Sequence, residues 1–193
     1  MSVTTPDPTI TEINALVDAD LSAVDQRIKS RLYSDVMLIN QLSHYIIGSG
    51  GKRLRPILVL LSAKAVGYEG QKHIDAACII ELVHTATLLH DDVVDASQMR
   101  RGRETANLVW GNEASVLVGD FLYSRAFQMM VDLQNMRVLE VLADATNTIA
   151  EGEVMQLVNC HDPSITEQRY LDTIRNKTAR LFEASTQLGV VIT

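Results

Sequence analysis

One stretch constrains this chain more than any other. From His73 to Asp95 the sequence is long, apolar and nearly free of charge, and it then closes on three carboxylates, Asp91, Asp92 and Asp95. That composition predicts a helix buried on most sides. A buried helix needs other helices or a sheet around it, and strict polar/apolar alternation is absent here. Three- and four-residue periodicity runs through the rest instead. Ile10, Ile13, Val17, Leu21, Val24, Ile28 and Leu32 fall on one helix face, with Thr9 and Glu12 spaced as a capping box. Further helices are predicted from about Asp35 to Ile47, from Pro56 to near Gly67, and after Asn112, Asn135 and Pro163. Ser164 and Glu167 form a second candidate capping box, and residues 96–104 read as a basic loop. The fold class is all-α, with residues 1–8 as a flexible tail before a domain over 9–193.

With 17 basic and 24 acidic residues the net charge is −7, which argues against general nucleic-acid binding. The 47% hydrophobic content excludes disorder as the main state. Cys78 and Cys160 lie far apart and outside any metal-ligand spacing, so a reducing, cytoplasmic compartment is expected. No basic patch followed by an apolar run opens the chain, and no run is long enough to span a membrane. Leu181 to Thr193 is an apolar helical pattern without a cap or polar run, from which a chain truncated at its C-terminus is expected.

Carboxylates at the C-terminal end of an apolar helix are costly to bury, and they sit where the helix dipole favours cations. A bound cation resolves both problems. Asp91 and Asp95 stand one turn apart on one face, each able to give an oxygen to Mg²⁺ while water and phosphate fill the other positions. The alternative is a solvated acidic helix end. Asp92 points elsewhere and is read as shaping the local field. His84, two turns before Asp91, is either a hydrogen-bonded core histidine or a phosphate donor.

Two basic windows answer the acidic one: Gly50-Gly51-Lys52-Arg53-Leu54-Arg55-Pro56, and Arg100-Arg101-Gly102-Arg103. They hold six of the 17 basic residues. Either alone reads equally well as a solvated face. Beside a carboxylate pair, with glycines for close backbone approach, they describe a diphosphate site.

These segments, with Gly119-Asp120 and Lys177-Thr178, occur in the order and spacing of the trans-isoprenyl diphosphate synthases, the polyprenyl synthetase family, which the chain resembles along essentially its whole length. From Glu81 to Met130 it is most similar to the bacterial octaprenyl-forming members. The resemblance implies an isoprenoid-synthase helical bundle and a Mg²⁺-dependent prenyltransferase, a homodimer that supplies quinone side chains. Its substrates would be isopentenyl diphosphate and an allylic diphosphate such as farnesyl diphosphate. Lys52, Arg55, His84 and Arg101 would hold isopentenyl diphosphate. Arg100, Lys177 and Thr178 would hold the allylic diphosphate, and Asp91 and Asp95 would share Mg²⁺ with it. Asp91, Asp95, Arg100 and Lys177 would form the catalytic set.

In this family the fifth residue before the first aspartate bears on product length. Here Ala86, followed by Thr87, implies an open tunnel and a long product, although a small residue there also suits close helix packing. Phe127, Met129 and Met130 are either its lower wall or plain core. Members also carry a second aspartate-rich motif, and this chain ends at Thr193 before one, so weak or absent turnover is expected.

Two other classes stay open. One is a non-catalytic fragment or regulatory partner subunit. The other is a metal-dependent His-Asp phosphohydrolase using His90-Asp91 with His44, His73 and His84, which leaves both basic windows unexplained.

Overall fold

The computed structural model describes residues 9–160 and 162–193; the tail assigned to residues 1–8 lies outside them. Ten α-helices occur among the described residues, with one two-stranded hairpin as their sheet. In order they are α1 (Ile10–Ala15), α2 (Asp18–Arg31), α3 (Met37–Gly48), α4 (Leu54–Ala65), α5 (Lys72–Val94), α6 (Ala106–Trp110), α7 (Asn112–Asp132), α8 (Met136–Asn159), α9 (Glu167–Ile174) and α10 (Arg180–Val191). Strands β1 (Met99–Arg100) and β2 (Arg103–Glu104) lie between α5 and α6.

The apolar body of α5 runs through the centre. Ile79, Ile80, Leu82, Val83, Ala86 and Leu89 have no exposed surface. Helices α2, α4, α7 and α10 pack around it. Ser115 Oγ of α7 donates to the Leu89 carbonyl at 3.0 Å. The two helices approach so closely at Gly119 that a Cβ there would collide with the His90 ring.

Three local expectations are corrected. The single helix predicted over residues 10–32 breaks at Leu16–Val17. Bending there buries Val17 completely and starts a new helix with Asp18 and Asp20 in its first turn, where the dipole favours them. The Thr9–Glu12 capping box forms as expected. Ser164 is not a cap: Asp162 Oδ1 accepts from its hydroxyl (2.6 Å) and amide (2.9 Å), and Thr166 caps α9 instead. The basic loop is a tight hairpin, with Arg101 (φ 53°) and Gly102 (φ 78°) both left-handed at its tip. Two consecutive positive φ values match the twist of antiparallel strands.

Candidate diphosphate and carboxylate site

The cationic half is built where α4 begins. Gly50 and Gly51 take positive φ, and so does Arg53, the N-cap residue of α4 at φ 48°. A bulky residue in that conformation is strained, and the structure shows what holds it. The Arg53 guanidinium is largely buried, bonds Glu81 of α5 through Nη1, and lies 3.4 Å from Asp25 of α2 through Nε. Glu81 is itself 5% exposed in its side chain. This anchor aims its neighbours: Lys52 stays exposed, and Arg55 turns inward to place Nη1 3.0 Å from His84 Nε2. Phe182 of α10 closes over Arg55, its ring centroid 4.3 Å from Cζ. The Arg101 guanidinium lies against bare Gly51, where a Cβ would stand 2.7 Å from Nη1. Lys52, Arg53, Arg55, His84 and Arg101 thus line one open cavity of about 540 Å³.

That surplus of positive charge shows in the titration of its members. Burial first, then Arg55, Arg101, Arg100 and Arg53, push His84 down to about 3, so it is neutral at physiological pH. Burial also lowers Arg55, and Glu81 acts against that.

The acidic half begins two turns further along α5. Burial raises Asp91 to about 6, and Glu153 and Asp95 add to the rise. Lys177 opposes them: its Nζ is 2.6 Å from Glu153 Oε2 and 3.8 Å from Asp91 Oδ2. Burial works against the Lys177 charge, but the bond to Glu153 and the field of Asp91 keep its pKa above the ordinary value. Lys177 stands in a π turn, Arg175–Ala179, between α9 and α10. Asp92 is fully buried and holds Arg100 through both carboxylate oxygens at 2.7–3.0 Å. That bond raises the Arg100 pKa and fixes the arginine beside the acidic pair. The end of α5 is tied down by Ala96, left-handed where glycine is usual, and by Thr105 Oγ1 donating to the Ser97 carbonyl at 2.7 Å.

Beneath Asp91 a cavity of about 570 Å³ opens between α5, α7 and α8. Thr87, Tyr123, Phe127, Ile149 and Glu153 are among its lining residues. Ala86 is buried inside the bundle instead, and so are Met129 and Met130. Thr178 faces a different groove, between the end of α8 and α9. A third cavity, about 630 Å³ between α2 and α3, shares Gly51 and Arg53 with the cationic one but holds none of the acidic pair.

The residues present suit a hard divalent cation shared with phosphate. Asp91 and Asp95 lie one turn apart in a surplus of negative charge, and Mg²⁺ commonly takes only one or two carboxylates. No group of three His, Cys, Asp or Glu residues able to hold a metal occurs among the described residues. The histidines of a His-Asp hydrolase centre are not assembled. His44 lines the α2–α3 cavity, His73 sits 3.6 Å from Asp20, and His84 is paired with Arg55.

Sequence reasoning missed Glu81, Glu153 and the π turn. A lone Glu in an apolar run signals a buried partner, and Glu81 gave that signal. For Glu153, on an ordinary amphipathic helix, no local signal existed.

The chain is 58% identical over 181 residues to the octaprenyl diphosphate synthase of Escherichia coli (strain K12), covering 94% of this chain and 56% of that protein. Two solved structures superpose closely. A polyprenyl synthase from Caulobacter crescentus CB15, complexed with calcium and isoprenyl diphosphate, gives a TM-score of 0.94 at 44% identity, over 98% of this chain and 58% of that one. A decaprenyl diphosphate synthase from Rhodobacter capsulatus gives 0.91 at 49%, over 94% and 56%. The chain thus spans little more than half the length of these relatives. The polyprenyl synthetase family profile matches residues 36–193. On that match and on the identity to its members, the chain belongs to the polyprenyl synthetase family.

Proposed function

We propose that this chain carries the substrate-binding core of a long-chain, octaprenyl-type diphosphate synthase. The observation that carries the reading is the pair of oppositely charged pockets on α5, with His84 in one and Asp91 in the other. Seven residues of helix separate them by about 10 Å. One pocket suits the diphosphate of isopentenyl diphosphate, held by Lys52, Arg55, Arg101 and neutral His84 as a hydrogen-bond donor. The other suits an allylic diphosphate such as farnesyl diphosphate, held by Arg100 and Lys177; Thr178, in the neighbouring groove, is not among its ligands.

Asp91 and Asp95 would hold Mg²⁺, which supplies charge neutralisation for the departing diphosphate. Arg100 and Lys177 stabilise the same developing charge through fixed, partly desolvated donors. The allylic carbon–oxygen bond breaks, the alkene of isopentenyl diphosphate attacks the resulting carbocation, and a proton leaves to the released diphosphate. Repetition lengthens the chain by one isoprene unit at a time into the cavity beneath Asp91. Thr87 and Phe127 line that cavity and set its width, and Ala86 acts from behind by letting the helices pack closely.

A homodimer is the expected assembly. Leu117 and Val131 of α7 and Leu108 and Val109 of α6 are exposed apolar side chains that a partner copy could cover. No helix among the described residues is long and apolar enough to cross a membrane, and both cysteines are free; a cytoplasmic protein fits both.

The test is incorporation of labelled isopentenyl diphosphate with farnesyl diphosphate as primer, with and without Mg²⁺. Mg²⁺-dependent products of octaprenyl length establish the synthase. Binding of both diphosphates without incorporation makes the chain a substrate-binding fragment or partner subunit. Neither binding nor incorporation overturns the reading.

A further inference from the structure

We infer that Gly152 is a positioning residue for the Lys177 ammonium, because its missing side chain is what lets the π turn seat against α8. The functional consequence rests on the proposed role of Lys177 toward the allylic diphosphate. Gly152 lies in the interior of a 24-residue helix, two turns before its end. Glycine there is a poorer helix former than alanine, so its presence asks for a compensating contact. The contact is specific. A Cβ on Gly152 would stand 2.7 Å from the Lys177 backbone nitrogen and 3.0 Å from both the carbonyl carbon and the Cβ of Asn176. Ordinary contact begins at 3.4 Å, and two of the three crowding atoms are backbone, so the turn itself would have to retreat.

The next residue on α8 is Glu153, which binds the Lys177 ammonium at 2.6 Å. Met155 Sδ, three residues beyond Gly152, accepts from Asn176 Nδ2 at 3.5 Å. Helix α8 therefore presents a bare patch for the backbone of the turn, and beside it a carboxylate for its side chain. The π turn contributes the other half of the fit. A wider turn pushes one backbone segment out of the helical cylinder, and such bulges are frequent at functional sites. Here the bulge leans onto Gly152 and directs Lys177 toward Asp91. Gly189 is crowded more severely, by the Val59 carbonyl of α4, but it lies on α10 away from Lys177 and serves as a control for packing alone.

The test compares Gly152→Ala with Gly189→Ala in this chain. The Lys177 side-chain ammonium is followed by nitrogen-15 NMR, and farnesyl and isopentenyl diphosphate binding by calorimetry with Mg²⁺ present. Expected for Gly152→Ala is an ammonium signal shifted toward that of solvated lysines, as in Glu153→Gln. Farnesyl diphosphate affinity should fall roughly tenfold, the order expected for one charge-assisted bond, with isopentenyl diphosphate affinity unchanged. Gly189→Ala should lower thermal stability and leave the ammonium signal in place. An unshifted Lys177 signal in Gly152→Ala, or the same shift in Gly189→Ala, overturns the inference. If Lys177→Ala leaves farnesyl diphosphate binding intact, the reading of Lys177 as its ligand falls, while the NMR result still decides the role of Gly152. Should Gly152→Ala fail to fold, the double variant with Asn176→Gly removes one crowding atom and is read by the same signal.

Discussion

The two halves of the site solve opposite electrostatic problems with different means. On the cationic side the protein supplies its own counter-charge: Glu81 and Asp25 hold Arg53, and His84 stays neutral beside Arg55. On the acidic side Asp91 is left in excess negative charge that Lys177 only partly offsets. The first half is organised by the protein's own paired charges, whereas the second keeps a negative surplus that its own cations do not balance. A helix that ends in unbalanced carboxylates is tolerable only if its working state includes more positive charge.

The largest test of that contrast removes the acidic surplus. Replacing Asp91 and Asp95 together by Asn should weaken Mg²⁺-dependent farnesyl diphosphate binding roughly a thousandfold, since both oxygen donors and the field behind them go at once. Isopentenyl diphosphate binding should change less than about twofold, because its pocket draws on separate residues. Calorimetry of both ligands on one variant decides it; a parallel loss of both would mean that the halves are one coupled site.

Next in size is Glu81→Gln. It strands the Arg53 guanidinium, 13% exposed, with only Asp25 for company. Breaking a buried pair by removing one partner costs about 3 kcal/mol, and a thermal melt should show a corresponding drop. Replacing Arg53 and Glu81 together by Met should recover most of it. Isopentenyl diphosphate affinity should nevertheless stay low in the double variant, because Lys52 and Arg55 lose the anchor that aims them.

The sequence displayed much of the acidic half and less of the cationic one. Asp91 and Asp95 are legible because carboxylates after an apolar helix violate an energetic rule, and a violated rule points to function. The cationic windows were legible as composition, but their geometry rests on Arg53 adopting φ 48° and on Arg101 taking a left-handed turn, conformations that carry no composition signature in arginine. The resemblance implies a ligand for Arg100; the structure shows its guanidinium held by Asp92 eight residues earlier. The break at Val17 and the π turn share one cause. Each inserts an irregularity into an otherwise periodic pattern to satisfy a distant contact, and periodicity reports only the local average.

A pH series separates the halves in steps that are each smaller, one pH unit at a time. In the unfolded chain His84 takes up a proton near 6.5, whereas in the fold it resists protonation until about 3. Between those values the unfolded state binds more protons, so His84 contributes stability above pH 6.5 that is lost as the pH falls. The slope is up to about 1.4 kcal/mol per pH unit for one such group. The difference between wild type and His84→Gln in urea melts should therefore shrink on acidification. A constant difference would show that His84 ionises freely and that its neighbours exert little field.

The smallest expected effect is on stability in Lys52→Ala. Lys52 is exposed and makes no ion pair or hydrogen bond among the described residues, so its removal should shift folding stability by no more than about 0.5 kcal/mol. A structural lysine would cost more, and a purely solvated one would cost nothing anywhere. The prediction is a divided result: an unchanged melt, with isopentenyl diphosphate affinity down roughly tenfold and less sensitive to salt, since one screened charge has left the pocket. An exposed lysine that matters only when an anion is present is what a prepaid cationic pocket requires. Arg53 and Glu81 carry the folding cost of that pocket, and on the proposed reading Lys52 is left to answer to the ligand alone.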